Sequence, residues 1–339
     1  MKRRNVTKAI AISLPLAVGC ASYSKGVVQS ASNQKVKPKR LKEGDTIGLI
    51  APGSSLSEAA LEKCISNLEG VGFKVKTGKH WKNQYGYLAG TDKERLYDIH
   101  SMFADDTVDG IWCARGGYGC TRLLPYLDYN LIKRNPKILI GYSDITALLN
   151  AIYQQTGLVT FHGPVGSSEF NDYSLDGWKE VLMNPESSLD IEHSSTAEIV
   201  EIFSGKAQGT LVGGNLTLLA AMCGTPYQVD MKDKLVFIED VGEKPYKIDR
   251  MLTQLLQASS LDQASGIILG TFNDCEPDED DRSLSLIQCF EDRLGSMNIP
   301  ISSGFSFGHI SEQFTLPIGV EALFDASKGK LRFVESGVQ

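Results

Sequence analysis

The sequence predicts an α/β protein in which an N-terminal, doubly wound and mostly parallel sheet is followed by a second, mixed α/β domain. Short apolar runs alternate with segments of helical periodicity in the first half, and glycine-rich motifs follow several of these runs. The pattern then fades and resumes as a second set of alternating segments. At 339 residues, the chain is long enough for two domains that each bury a core.

The first half of the chain contains the clearest alternation. In order, it predicts a strand at 46–51, a helix capped by Ser57, a strand at 73–77, a helix at 92–103, strands at 109–114 and 137–140, and a helix ending near 155. Strands that alternate with helices are typical of a parallel sheet, whose carboxyl ends share one edge. We therefore predict a domain at 43–165.

Polar residues dominate from 166 to 206, and we interpret this segment as the connection between the domains. A second domain is predicted at 207–335. Its elements are a strand at 234–238, a helix at 246–258, a strand at 266–269, a helix at 283–294, and short β segments near 315–320 and 330–334.

The N-terminus has the features of an export signal. A basic start is followed by the short apolar stretch Ala9–Gly19, so residues 1–19 are predicted to be a cleaved signal peptide. Leu16–Cys20 resembles a bacterial lipobox, which predicts lipidation of Cys20 and an envelope or periplasmic location. Residues 20–42 are polar and are predicted to form a flexible tether. The alternative is an ordinary cleaved signal in which Cys20 has no role.

Charge and composition limit the classes of partner. Residues 1–42 contain ten Lys or Arg and no acid, while the rest of the chain has 24 Lys and Arg against 41 Asp and Glu, a net charge of about −17. Such a body repels phosphate backbones, so we expect no nucleic-acid partner. The six cysteines after Cys20 form no C-x-x-C pair; they are interpreted as buried small apolar residues, and no zinc site is predicted.

The segment Gly141-Tyr142-Ser143-Asp144 lies between an apolar strand and a helix. A serine in that position is typical of a nucleophile elbow, in which the hydroxyl projects from a tight turn and helix N-terminal amides face the same point. The alternative is a simple helix N-cap, for which Ser and Asp are both favoured. The usual second glycine of G-x-S-x-G is missing.

The glycine-rich segment 115–119 also follows a strand, so a parallel sheet brings it to the same edge as Ser143. Its glycines allow close approach of a backbone to a substrate. One interpretation is an oxyanion hole formed by the amides of Gly117 and Asp144. A phosphate-binding or merely tight turn is the alternative.

A serine nucleophile needs a base and an acid that orients it. Of the five histidines, His100 and His193 have sequence contexts typical of structural or solvated residues, and the lysines that flank His80 disfavour a cationic intermediate there. His162 and His309 both remain as candidates for the base. Glu239 and Asp240 follow a predicted strand and are candidates for the acid, although solvated acids at a turn would look the same.

Taken together, these motifs resemble the serine LD-carboxypeptidase family, which includes the muramoyltetrapeptide carboxypeptidases and the microcin-C immunity peptidases. The resemblance extends from Leu41 to Val334. Besides the segments at 115–119 and 141–144, it is carried by Gly44-Asp45, Ala51-Pro52, Thr146, Phe161-His162-Gly163-Pro164, Gly213-Gly214-Asn215-Leu216, Gly224-Thr225-Pro226-Tyr227, Ile238-Glu239-Asp240, Pro245–Arg250, Gly308-His309 and Leu316–Gly319.

The resemblance implies a triad of Ser143 as nucleophile, Glu239 as orienting acid and His309 as base. It also implies that the amides of Gly117 and Asp144 form the oxyanion hole, and that no metal or organic cofactor is needed. Candidate substrate-binding residues are Arg115, Gly116 and His162, the last as a residue lining the cleft. A homodimer is also implied.

The implied reaction is release of terminal D-Ala from murein tetrapeptides by cleavage of an L,D peptide bond. The chain has no obvious long insertion of the kind that immunity peptidases use to clamp a nucleotide, which favours a murein peptide. The alternatives are a serine peptidase that acts on a peptidyl-nucleotide antibiotic, and an exported lipoprotein that binds a peptide without cleaving it.

Overall fold

The structure is a computed structural model that describes residues 34–186 and 188–339. The predicted signal peptide at 1–19, Cys20 and the first part of the predicted tether lie outside the described residues. None of the helices in the described ranges combines the length and apolarity needed to cross a bilayer.

Fourteen strands and eight α-helices are present in the described part of the chain. The strands are β1 (Thr46–Ile50), β2 (Lys74–Thr77), β3 (Gly110–Cys113), β4 (Ile138–Gly141), β5 (Thr160–His162), β6 (Leu189–Asp190), β7 (Val200–Phe203), β8 (Lys206–Asn215), β9 (Lys234–Val241), β10 (Gly266–Asn273), β11 (Ile301–Ser303), β12 (Leu316–Ile318), β13 (Glu321–Asp325) and β14 (Lys330–Phe333). The helices are α1 (Glu58–Gly70), α2 (Asp92–Ala104), α3 (Tyr129–Arg134), α4 (Thr146–Thr156), α5 (Asp172–Met183), α6 (Leu216–Met222), α7 (Pro245–Ala258) and α8 (Leu286–Leu294).

The first two helices begin at side-chain caps, of which the sequence analysis predicts the one at Ser57. The Ser57 hydroxyl accepts a hydrogen bond from the Ala60 amide at the start of α1. Thr91 and Glu94 form a reciprocal capping box at the start of α2. Each cap satisfies amides that the first helical turn leaves unpaired.

The first sheet has the order β12-β5-β4-β3-β1-β2. Strands β1 to β5 all run parallel to one another. Strand β12, at the edge of the sheet, pairs with β5 in the antiparallel direction. The order 2-1-3-4-5 reverses between β1 and β3, and ligands bind outside the carboxyl ends of strands at such a switch point. The loop after β1 and the glycine-rich loop after β3 both lie there.

The second sheet has the order β6-β14-β13-β8-β9-β10-β11-β7. Its central strands β8, β9, β10 and β11 are parallel, and the flanking strands are antiparallel. A mostly parallel first sheet and a mixed second sheet confirm the predicted fold class.

The segment predicted as a polar connector at 166–206 contains regular structure. Its helix α5 packs on the first sheet through Trp178, whose ring lies 5.4 Å from that of Trp112 in β3, and both rings are fully buried. Strands β6 and β7 also belong to this segment and join the second sheet. Polar residues flank α5 on both sides in the sequence, which is why its helical periodicity was overlooked.

The prediction of a flexible tether is wrong for residues 34–42. Val36 forms a backbone bridge with Leu158, and the Leu41 amide donates to the Leu182 carbonyl, 2.9 Å away. The Leu41 side chain is buried in the core. Polar composition suggested solvation, but Lys35 and Lys37 pair with Glu335 near the C-terminus.

Candidate active site

Ser143 lies in a strained turn between β4 and α4. Its φ is +65°, a left-handed conformation that is uncommon for residues other than glycine. The turn Ser143–Ile145 is a short 3-10 segment that leads directly into α4. A strained strand-to-helix turn that carries a serine is the geometry of a nucleophile elbow.

The glycine-rich loop after β3 packs directly against this serine. A Cβ added at Gly116 would lie 2.9 Å from the Ser143 Cβ, 3.1 Å from its Oγ and 3.2 Å from the Asp144 amide nitrogen. At Gly117, where φ is +94°, a Cβ would meet the Ser54 Oγ at 2.3 Å. Only glycines therefore allow the loop backbone to approach the Ser143 hydroxyl this closely.

Asp144 contributes its side chain to the structure of the same loop. Its carboxylate is 2% exposed and accepts a hydrogen bond from the Cys120 amide at 2.9 Å. This bond ties the start of the elbow to the end of the glycine-rich loop. The Asp144 amide lies beside Gly116, on the side of the predicted oxyanion hole.

Glu239 and His309 form a hydrogen-bonded pair in which the acid is buried and the imidazole is partly exposed. The distance between His309 Nδ1 and Glu239 Oε2 is 2.7 Å, and Glu239, near the end of β9, is fully buried. Close packing at Gly308 holds the two together, since a Cβ there would lie 3.1 Å from the Glu239 Cβ. With Nδ1 engaged by a carboxylate, the Nε2 atom of His309 is left for proton transfer.

The ring of Tyr142 connects this pair to the serine turn. Its centroid lies 4.8 Å from that of the His309 imidazole, with an edge-on angle of 66°. Tyr142 precedes Ser143 in the chain, so the imidazole lies beside the elbow. The structure therefore brings Ser143, Glu239 and His309 into one region, at the carboxyl ends of β4 and β9.

A chain of hydrogen bonds connects α4 with the second sheet in this region. It was not predicted from the sequence. The Thr146 hydroxyl accepts from the Asn215 amide at 3.0 Å, and the Asn215 side chain donates to Asp240 at 2.9 Å. Burial raises the pKa of the Asp240 carboxyl, and hydrogen bonds from Val241 and Thr217 oppose that rise. These motifs contribute to the family resemblance, but nothing in their spacing indicates that they contact one another.

The prediction that His162 lines the cleft is wrong in this structure. Its side chain is fully buried, and neither ring nitrogen has a hydrogen-bond partner among the residues that the structure describes. It packs between Tyr142, Phe237 and Phe307. Burial lowers its pKa to about 3, with a further contribution from the nearby His309, so the ring stays neutral and apolar in character.

The other histidines have structural partners. These are Asp98 for His80, the Asp128 amide for His100 and the Gly329 carbonyl for His193. Arg115 is exposed, and its guanidinium donates to the Ser55 carbonyl at 3.2 Å, across the switch point.

A cavity of about 710 Å³ opens beside His309. The described residues that line it include Glu198, Glu276 and Glu312, but no Lys or Arg. No cluster of metal-ligating side chains is present in the described ranges. The cavity is thus suited to a ligand that carries a positive group.

Comparison with known proteins matches both halves of the chain to family models. The model of the LD-carboxypeptidase N-terminal domain matches residues 47–163, and that of the LD-carboxypeptidase C-terminal domain matches residues 208–324. The two matched ranges carry Ser143 and the Glu239–His309 pair, respectively.

Individual relatives cover nearly the whole chain. A probable murein peptide carboxypeptidase of Bacillus subtilis is 45% identical over 307 residues, which is 89% of this chain and 95% of the relative. A solved MccF-like protein from Bacillus anthracis has a TM-score of 0.80 at 31% identity, covering 88% of this chain and 99% of its own. The muramoyltetrapeptide carboxypeptidase from Oxalobacter formigenes has a TM-score of 0.75 at 30% identity, covering 86% of this chain and 98% of its own.

Proposed function

Because this chain belongs to the LD-carboxypeptidase family, we propose that it is a serine carboxypeptidase that releases terminal D-Ala from murein tetrapeptides. The bond cleaved joins the L-centre of a diamino acid to D-Ala. The observation that carries the proposal is the 2.7 Å hydrogen bond between partly exposed His309 and buried Glu239, beside the strained turn of Ser143.

In the proposed reaction, His309 Nε2 removes the Ser143 proton as Oγ attacks the carbonyl carbon of the scissile bond. Glu239 holds the imidazole in the required tautomer and stabilises its protonated form. The amides of Gly117 and Asp144 bind the oxyanion. His309 then protonates the amine of D-Ala, the C–N bond breaks, and water, activated by the same imidazole, hydrolyses the acyl-enzyme.

The acidic lining of the cavity beside His309 supports a substrate that carries an amine close to the scissile bond. Glu198, Glu276 and Glu312 line it without a basic residue among its described lining, which suits the side-chain amine of diaminopimelate or lysine. The same carboxylates would repel the phosphate of a nucleotide. The terminal carboxylate of D-Ala needs a cation or amides, and exposed Arg115, beside the glycine-rich loop, is the candidate.

The decisive experiment incubates the purified protein with a tetrapeptide muropeptide and identifies the products by mass. We expect loss of one D-Ala by the wild-type protein and at least about a 10⁴-fold lower rate in Ser143→Ala. Thermal unfolding of both proteins controls for folding. Unchanged turnover in the folded Ser143→Ala variant would refute the assignment of the nucleophile.

Two alternatives are tested alongside. An immunity-type peptidase would cleave an aminoacyl-adenylate analogue faster than the muropeptide in parallel assays. A binding lipoprotein would hold the peptide reversibly and would not react with a serine-directed phosphonate. Covalent labelling that is lost in Ser143→Ala excludes the second alternative.

We also propose that the protein is exported and anchored through a lipid on Cys20. Support comes from the basic, apolar and lipobox-like segments within residues 1–20. Mass analysis of the mature N-terminus tests this proposal. A lipid-modified N-terminal Cys20 is expected, while an unmodified N-terminus would leave an ordinary secreted form or an uncleaved one.

A further inference from the structure

Arg95 is a buried cation that the proposed mechanism does not use. It lies in the first turns of α2 and is 1% exposed. An arginine on a surface helix normally extends its charged end into water, and burial of an unpaired charge is costly. Its burial therefore needs a specific set of partners.

Those partners are two backbone carbonyls from different loops. One guanidinium nitrogen of Arg95 donates to the Pro52 carbonyl and also to the Gly119 carbonyl, the latter at 3.0 Å. Pro52 begins the loop after β1, and Gly119 ends the glycine-rich loop after β3. A single side chain thus holds together the two loops at the switch point of the first sheet.

Asp92 balances the buried charge. It forms an ion pair with Arg95 at 2.5 Å and accepts two hydrogen bonds from Arg122, at 3.0 and 2.9 Å. Hydrogen bonds from Arg122 and Arg95 lower the pKa of the Asp92 carboxyl. Since Thr91 and Glu94 cap the same helical turn, the guanidinium is fixed at both its backbone and its charged end.

The two loops that Arg95 joins are also packed on each other and on the serine. The Ser54 amide donates to the Gly116 carbonyl at 3.1 Å. A Cβ at Gly53 would lie 2.5 Å from that carbonyl oxygen and 3.1 Å from the Asp144 carboxylate. Gly116 in turn contacts Ser143, so a shift of either loop moves the backbone beside the nucleophile.

We infer that Arg95 is a positioning residue, which holds the loops after β1 and β3 so that the Gly117 amide faces the oxyanion formed at Ser143. This inference rests on the proposed function. Oxyanion donors act only within a narrow distance range, and a displacement of about 1 Å costs about 10²-fold in rate. The effect falls on the transition state, so kcat changes more than KM.

The test compares Arg95→Ala, Arg95→Lys and Arg134→Ala, the last an exposed arginine on α3, in D-Ala release from a tetrapeptide muropeptide. We expect kcat to fall by about 10- to 10³-fold in both Arg95 variants, with KM changed by less than about threefold. Arg134→Ala should retain wild-type values. Lysine keeps the charge, but its ammonium lacks the planar fork that bonds the carbonyls and Asp92 together.

Chemical rescue separates positioning from general stability. Guanidinium ion, well below denaturing concentrations, should restore part of kcat in Arg95→Ala but not in Ser143→Ala, because it refills the site between Pro52 and Gly119. Wild-type kcat in either folded Arg95 variant would overturn the inference. So would guanidinium that restores thermal stability without restoring kcat. If Arg95→Ala does not fold, Arg95→Lys decides.

The wild-type protein in the same assay separates a failure of the proposed function from a failure of the proposed role of Arg95. Absence of D-Ala release by the wild-type protein would contradict the proposed function itself. A normal wild-type rate with unaffected, folded Arg95 variants would contradict only the role of Arg95.

Discussion

The backbone at Ser143 adopts a conformation that costs roughly 1–2 kcal/mol for a residue with a side chain. The turn is retained because its surroundings fix it: Gly116 packs on the side chain, and the Asp144 carboxylate bonds the Cys120 amide. Sequence spacing indicates such a turn between β4 and α4, but a helix N-cap would have the same pattern.

Two histidines close to this turn have opposite environments. His309 bonds a buried carboxylate, whereas His162 is surrounded by aromatic rings and has no hydrogen-bond partner among the described residues. The sequence could not separate them, because both follow apolar segments and adjoin a glycine. Only the family resemblance favoured His309, and the side-chain environment follows from tertiary packing, which periodicity does not encode.

We predict that His162→Phe reduces the sensitivity of the fold to acid. The pKa of His162 is about 3 in the folded protein, against an ordinary value of 6.5. Below pH 6.5 the unfolded chain therefore binds a proton that the folded chain excludes until about pH 3, so the stability of the wild-type protein falls as pH decreases through this window. Urea unfolding at about pH 7 and about pH 4 measures the difference.

Between these two pH values, the variant should lose less stability than the wild-type protein. Its rate of D-Ala release at neutral pH should stay within about tenfold of the wild-type rate. His100→Phe is the comparison variant: burial also lowers the pKa of His100, but the ring is only partly buried and the nearby Asp128 carboxylate opposes the shift. Loss of activity in a stable His162→Phe variant would show that His162 takes part in the reaction.

At the level of elements, most strands of the first sheet and the helices beside them could be predicted. Their apolar residues repeat with a clear period, and caps or glycines mark several of their ends. Strand β8 was missed since its sequence contains three glycines and little alternation. Strand β12 was predicted as a β segment of the second domain, but it pairs with β5 of the first sheet. A three-residue apolar strand has no local signal that selects its partner.

The contact between α4 and β8 connects the helix that directly follows the Ser143 turn with the sheet that carries Glu239. Besides the Thr146–Asn215 bond, the Asn150 side chain donates to the Gly213 carbonyl at 2.8 Å. Gly214 allows this approach, since a Cβ there would lie 2.5 Å from the Thr146 Oγ1.

We predict that Thr146→Val destabilises the fold by about 1–3 kcal/mol, because the buried Asn215 amide loses its acceptor while the side-chain shape is kept. Thr146→Ser is the matched control, which retains the hydroxyl and removes one methyl, at about 0.8 kcal/mol. Denaturant unfolding measures both. A smaller loss in the valine variant than in the serine variant would contradict the importance of this hydrogen bond.

On the scale of the whole molecule, the two ends of the described chain stabilise each other. The Arg40 amide donates to the Gln339 carbonyl, and the Gln339 amide donates to the Pro38 carbonyl, at 2.9 and 3.0 Å. All of the described residues belong to one compact unit. The sequence did not predict this closure, because the first and last segments are short and mostly polar.

We predict that a chain starting at Gln34 is more stable than one starting at Glu43. The shorter chain loses the buried Leu41 side chain, which contributes about 1.5–3 kcal/mol, and the pairs of Lys35 and Lys37 with Glu335. Urea midpoints of the two proteins at neutral pH test this prediction. Equal midpoints would mean that residues 34–42 contribute nothing to the fold.

The pH dependence of the stability difference between the two chains shows how much of it comes from the ion pairs of Glu335. Although burial alone would raise the pKa of Glu335, hydrogen bonds from Lys35, the Glu321 amide and Lys37 lower it to about 2. Their contribution is complete above about pH 4.5 and is lost as pH falls toward about 2. The gap between the two chains should therefore narrow in acid, while the share due to Leu41 persists.

Ser143 belongs to the first sheet, whereas Glu239 and His309 come from later parts of the chain. A growing polypeptide therefore contains Ser143 before His309, the proposed base, has been synthesised. The hydroxyl stays inert until nearly all of the sequence has been synthesised and folded. The proposed set of three residues is thus completed only by the member that is translated last.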